Sequence, residues 1–166
     1  ATVTVNLINL VQVYDGTVKA ASAATEPQGL DVNFSYNNIP LNAGSYEVTA
    51  TIDNPNYLGS ATGTLIIQPA TAIVNLSNLV QVYNGTAKSV SSATLPDGLN
   101  VLYSYSDTPI NVGTYDVTAT VDNPNYIGST TGVLTIYPAT AAVSFANLVQ
   151  VYDGTVKSVL AATQPE

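Results

Sequence analysis

Cysteine, histidine, arginine, methionine and tryptophan are all missing from this 166-residue chain. Without cysteine there is no disulfide framework, no thiolate zinc site and no cysteine nucleophile. Without histidine the usual general base near neutral pH is gone, and with it the commonest metal ligand. Positive charge is scarce as well: Lys19, Lys88 and Lys157 stand alone against 11 acidic residues, for a net charge of −8. Such a surface cannot neutralise phosphates, which argues against nucleic acid or an anionic membrane as a partner. No apolar run approaches the ~20 residues of a membrane-spanning helix. The first residues, "ATVTVNLINL", lack the basic start of a signal peptide, so any export signal is expected outside this segment.

What the chain does contain is repetition. "LVQVYDGTVKAA" at 10–21 returns as "LVQVYNGTAKSV" at 79–90 and as "LVQVYDGTVKSV" at 148–159. Aligned on itself with an offset of 69 residues and no gap, the chain agrees at 43 of 69 positions between 1–69 and 70–138. Residues 139–166 begin a third copy that stops after 28 residues. The expected organisation is therefore two β repeats, 1–69 and 70–138, followed by the start of a third, in a chain that reads as an excerpt from an array. With 46% hydrophobic residues each copy can build a core. A copy this small sits near the lower limit of self-sufficiency, since a ~60-residue domain buries only about 60% of its unfolded surface, so stacking on a neighbour would help.

Parity identifies the strands. In "SYEVTATID" Tyr46, Val48, Ala50 and Ile52 share one face while Glu47, Thr49, Thr51 and Asp53 share the other, which is the pattern of a half-buried strand. Leu30, Val32, Phe34 and Tyr36 alternate in the same way, and Leu65 with Ile67 closes the unit. About six strands per copy and no helical periodicity are expected. Asp15-Gly16, between apolar alternating runs, predicts a two-residue hairpin turn. Counting outward from it places Val11, Val13, Val18 and Ala20 inward, and Gln12 opposite an outward Lys19; Lys88 and Lys157 follow by the same count. An outward lysine is unsuited to an isopeptide cross-link, and none is expected.

Between copies lie "QPATA" at 68–72 and "YPATA" at 137–141. A single proline with fixed φ and almost no slack restricts bending, which predicts a stiff rod. "DNPNY" at 53–57 and 122–126 gathers side-chain oxygens, but one carboxylate per loop is a poor calcium ligand set. An Asx-type turn ahead of Pro55 and Pro124 is expected instead, with melting unaffected by calcium or chelator.

The succession "VYDGT.K", "P.GL.V.FSY" and "NAGSYEVTATIDNPNY.GSATGTLII" resembles the MBG-type repeats of very large bacterial surface and adhesin-like proteins. The likeness covers both full copies and the beginning of the third. It implies an exported, extracellular, bacterial cell-surface protein with many non-catalytic repeats. The expected fold is all-β, with tandem small immunoglobulin-like sandwiches in a rod. A helix-poor β-grasp-like unit is the alternative, disfavoured by strand count and the absence of helix.

For function the residues nominate no catalytic, cofactor-binding or metal site, and no cofactor. Asp15, Glu26, Asp31, Glu47 and Asp53 are scattered, and Asp15 becomes Asn84 in the second copy while its surroundings stay the same. The expected role is a structural stalk or spacer whose partners are neighbouring repeats of the same chain, with a glycan or host-surface ligand bound through other domains. Two alternatives stand beside it. One is a module binding a ligand, either carbohydrate, stacked on outward Tyr14 and Tyr83, or a host protein; the other is a subunit of a self-assembling extracellular fibre.

Overall fold

A computed structural model describes residues 1–164. The first copy folds as β1 (Thr4–Ile8), β2 (Val11–Val13), β3 (Ser22–Glu26), β4 (Val32–Tyr36), β5 (Gly44–Ile52) and β6 (Ser60–Gln68). The second repeats this as β8 (Ile73–Ser77), β9 (Val80–Val82), β10 (Ser91–Leu95), β11 (Val101–Tyr105), β12 (Gly113–Val121) and β14 (Ser129–Tyr137). It adds the two-residue strands β7 (Ala70–Thr71) and β13 (Tyr126–Ile127). The same contact in the first copy is a single parallel bridge between Thr2 and Leu58. In the third copy β15 (Ala142–Ala146) pairs antiparallel with β16 (Leu160–Gln164), as β1 does with β3. No helix occurs among the described residues.

Each complete copy is a two-layered sandwich. The β1/β3 pair covers a four-stranded sheet ordered β2-β6-β5-β4, with counterparts β8/β10 and β9-β14-β12-β11. The expected parity holds. Val48, Ala50 and Ile52 are buried on β5, Leu65 and Ile67 on β6, while Thr51, Thr62 and Thr64 face out. Leu65 and Ile67, with Leu134 and Ile136 in the second copy, are the largest fully buried side chains. Each contributes on the order of 1.5–3 kcal/mol of burial. The layers approach closely at Gly63, where an added Cβ would lie 2.9 Å from Leu7 Cδ1.

Two features make the sandwich immunoglobulin-like. The chain crosses between layers at Asn9, which takes the left-handed conformation (φ 60°) that Asn tolerates better than other side chains. β1 before it belongs to one layer and β2 after it joins the other, parallel to β6. In addition Tyr46, at the start of β5, donates its hydroxyl to the carbonyl of Asn42 at 2.9 Å, and Tyr115 does the same to Asn111 at 2.9 Å. This is the tyrosine corner of such folds.

The hairpin expected at Asp15-Gly16 does not form. β2 pairs with β6, far along the chain, with Val11 opposite Ile66 and Val13 opposite Gln68. Residues 14–21 form an open loop, so Val11, Val13 and Val18 are 53–60% exposed rather than inward. Two side chains replace the ladder. Gln12 Nε2 donates to the carbonyls of Asn9 (2.9 Å) and Ala20 (2.7 Å), and Asp15 Oδ1 accepts from the amide (2.9 Å) and hydroxyl (2.6 Å) of Thr17. Local side-chain hydrogen bonds of this kind compete with strand pairing and here they prevail.

Candidate functional site

The thrice-written phrase is now explained residue by residue. Asn9 and Asn78 switch the layers at φ of 60° and 59°, and Asn147 takes the same left-handed conformation at 65°. Gln12, Gln81 and Gln150 each clamp the loop through the same two carbonyl positions. Asp15, Asn84 and Asp153 cap Thr17, Thr86 and Thr155 through Oδ1. Since Oδ1 is common to both side chains, Asn84 replaces aspartate without altering the turn.

The lysines are not simply outward, as the hairpin count required. The Lys19 side chain is only 12% exposed and its ammonium pairs with Asp15 Oδ2, while its backbone amide donates to the Pro40 carbonyl at 2.9 Å. That amide bond draws the loop across the end of β4. Lys157 pairs likewise with Asp153. The hydrogen bond from Lys19 and those from Thr17 hold the Asp15 carboxyl well below the usual carboxylate range. The same bonds from Lys157 and Thr155 hold Asp153 at about 2. In the second copy Asn84 carries no carboxylate, and Lys88 forms no ion pair among the described residues.

Beside Lys19 lies an open cleft of about 580 Å³, walled by Val18, Tyr36, Asn37, Ile39 and Pro40. Two of its polar groups are already engaged: the Tyr36 hydroxyl accepts from Ala21 N at 2.8 Å, and the Lys19 ammonium is held by Asp15. The corresponding hollow of the second copy is about 390 Å³, and Asp107 and Thr108 stand there in place of Asn38 and Ile39. Its chemistry is thus not repeated. Nor are the acidic residues brought together, because no group of three or more carboxylates able to hold a metal ion forms among the described residues. The DNPNY loops are Asx turns, closed by Asn54 Oδ1 to Asn56 N (2.9 Å) and Asn123 Oδ1 to Asn125 N (2.9 Å).

The feature built from repeated residues is the junction between copies. Gln68 ends β6 with its carbonyl bonded to Tyr14 N at 2.9 Å, and Ala70 begins β7 with its amide bonded to the Asn125 carbonyl at 2.9 Å. Only Pro69, with its fixed φ, lies between these two anchored residues. The Asn125 side chain spans the junction, accepting from Ala43 N at 2.8 Å and donating to Asn42 Oδ1 at 3.0 Å. Tyr126 meets Tyr14 edge to face, with ring centroids 5.4 Å apart. Tyr14 therefore packs on the neighbouring copy. Asn125 was not foreseen as a bridge. The available signal was asparagine recurring at period 69, as Asn56 and Asn125 and as Asn42 and Asn111.

The sequence profile of the MBG domain family matches residues 1–71 and again 72–140. No curated protein matches the chain.

Proposed function

Because the chain belongs to the MBG domain family, we propose that its copies are non-catalytic spacers in the stalk of an adhesin-like protein on the outside of a bacterial cell. Tandem MBG domains make this an adhesin-like repeat region; the structural role within it is the inference. The observation that carries it is the slack-free junction. Pro69 is held between the bonded Gln68 carbonyl and Ala70 amide, while Asn125 and Tyr126 reach back onto the first copy.

Tyr14, Asn42, Asn56, Tyr57 and Pro69 all recur 69 residues on as Tyr83, Asn111, Asn125, Tyr126 and Pro138. A junction made from repeated residues can form between any two neighbours, and length then rises with copy number. A unit of this size has a radius of gyration of only ~11 Å, so reach must come from repetition. The acidic, arginine-free surface limits sticking between adjacent stalks, over a range of about 8–10 Å at physiological salt.

Small-angle scattering on chains of two, four and six copies tests the reading. The maximum dimension should grow by a constant increment; a dimension that levels off would mean that the copies fold back on one another. The open cleft beside Lys19 supports a second reading, ligand capture by single copies. Tight, specific binding of a glycan or host protein by one copy would establish it in place of the spacer.

A further inference from the structure

In each complete copy the strand nearest the chain's entry into the main sheet lies parallel to the strand by which the chain leaves. β2 runs beside β6, and β9 beside β14. We propose that these two parallel pairs are shear clamps, which make the stalk a load-bearing element as well as a spacer. The purpose of the clamp rests on the stalk reading; its geometry does not.

Direction decides how such a pair fails. Tension on a tethered chain pulls β2 toward its N-terminal end and β6 toward its C-terminal end. For parallel neighbours these forces are opposed along the strand axes, so the bonds between them are loaded together and must break together. Had the two strands been antiparallel, the same tension would have opened the pair from one end, one bond at a time.

The clamp is bounded on both sides by short bonds. Ile66 N donates to the Leu10 carbonyl at 2.7 Å and Tyr14 N to the Gln68 carbonyl at 2.9 Å, enclosing the Val11–Val13 ladder. In the second copy Thr135 N donates to Leu79 at 2.8 Å and Tyr83 N to Tyr137 at 2.9 Å. Within the load path, the antiparallel pairs of β6 with β5 and of β5 with β4 lie behind the clamp and are not stretched until it fails.

A second parallel contact stands at the point of entry. Val3 N donates to Leu58 at 3.0 Å in the first copy, and Ala70 N to Asn125 (2.9 Å) and Ala72 N to Ile127 (2.8 Å) in the second. Since β6 passes into β7 through Pro69 alone, tension leaving one clamp arrives directly at the next copy's entry contact.

Single-molecule stretching of the whole chain tests this, and the absence of cysteine makes one introduced thiol a unique handle. Pulled by its two ends, the chain should show high-force rupture of both complete copies. Pulled from Val18→Cys and the C-terminal end, β2 and β6 of the first copy are loaded from the same end, so that copy peels while the second is still sheared. Val18 is 60% exposed, which suits attachment. Ala20→Cys, also exposed, gives the same geometry should the first variant fold poorly.

Loss of the first copy's high-force event, identified by its shorter released length, with the second copy unchanged, is the expected result. Equal forces in both geometries, or low forces when the ends are pulled, would overturn the clamp. Either of those results leaves scattering length untouched, so failure of the clamp and failure of the stalk are separately visible.

Discussion

Tyr14 of the first copy and Tyr126 of the second meet edge to face across the junction, their rings inclined at 85°. Tyr14 is consequently half-buried. Its ring is engaged by the neighbouring copy rather than held open as a ligand platform.

Removing either ring should loosen the junction. An edge-to-face pair contributes about 0.5–1.5 kcal/mol beyond the area it buries, so Tyr14→Ala and Tyr126→Ala should show a coupling of about that size in a double-mutant cycle. Tyr126→Ala alone should cost more, because Tyr126 also packs on the core of its own copy. Denaturant unfolding of the chain provides the measurement, and strictly additive effects would count against the contact.

Two glycines should respond to alanine for different reasons. At Gly128 the new Cβ would collide with the carbonyl oxygen of Ala72, a backbone residue between β7 and β8 that is held by its amide's bond to the Ile127 carbonyl. Gly128→Ala should therefore part β7 from β13 and cost at least the ~1–3 kcal/mol of an overpacked core. Gly16 has nothing within 4 Å but holds φ at +83°, so Gly16→Ala should cost about 1–2 kcal/mol through backbone strain alone. Melting of each variant orders the two effects, and amide exchange at Ala72 should rise only in Gly128→Ala.

Acid should act on the first and third loops and spare the second. A carboxyl whose folded value is depressed favours the folded loop above its unfolded pKa, about 3.9 for aspartate, and loses that contribution as pH falls through the folded value. For Asp153 the window runs from about 4 down to about 2. Asp15 is depressed for the same reasons, whereas Asn84 carries no charge to lose. In a titration of the folded chain followed by NMR, the amide of Thr155 should shift as pH falls to about 2 and that of Thr17 only well below the usual carboxylate range, while Thr86 stays still. A parallel shift of Thr86 would show that the loops respond to something other than their capping aspartates.

The strands were legible because burial imposes a period of two on residues such as Val48, Ala50 and Ile52, whatever lies next to them in space. The loop after Tyr14 was not. Asp-Gly between alternating apolar residues is the local signature of a hairpin, yet Gln12 supplies its side-chain amide to Ala20 and Asp15 closes on Thr17, which removes the need for a partner strand nearby. The partner that β2 does take, β6, lies some fifty residues along the chain, and no local pattern announces it. Pairing with lysine was missed by the same step, since the outward placement of Lys19 depended on the hairpin. Asn125 was read as a turn residue, and it is one; its backbone amide closes the Asx turn while its side chain bridges the copies.

The central claim, that neighbouring copies are held in one orientation by a junction repeated along the chain, is tested most directly by a distance distribution. Spin labels at Asn33→Cys on β4 and Leu102→Cys on β11, exposed counterparts in the two copies, can be introduced without competition from native thiols. Double electron–electron resonance should give a single narrow distance, broadened when Tyr14→Ala and Asn125→Ala are added. A broad distribution in the parent chain, or one indifferent to those substitutions, would contradict the account.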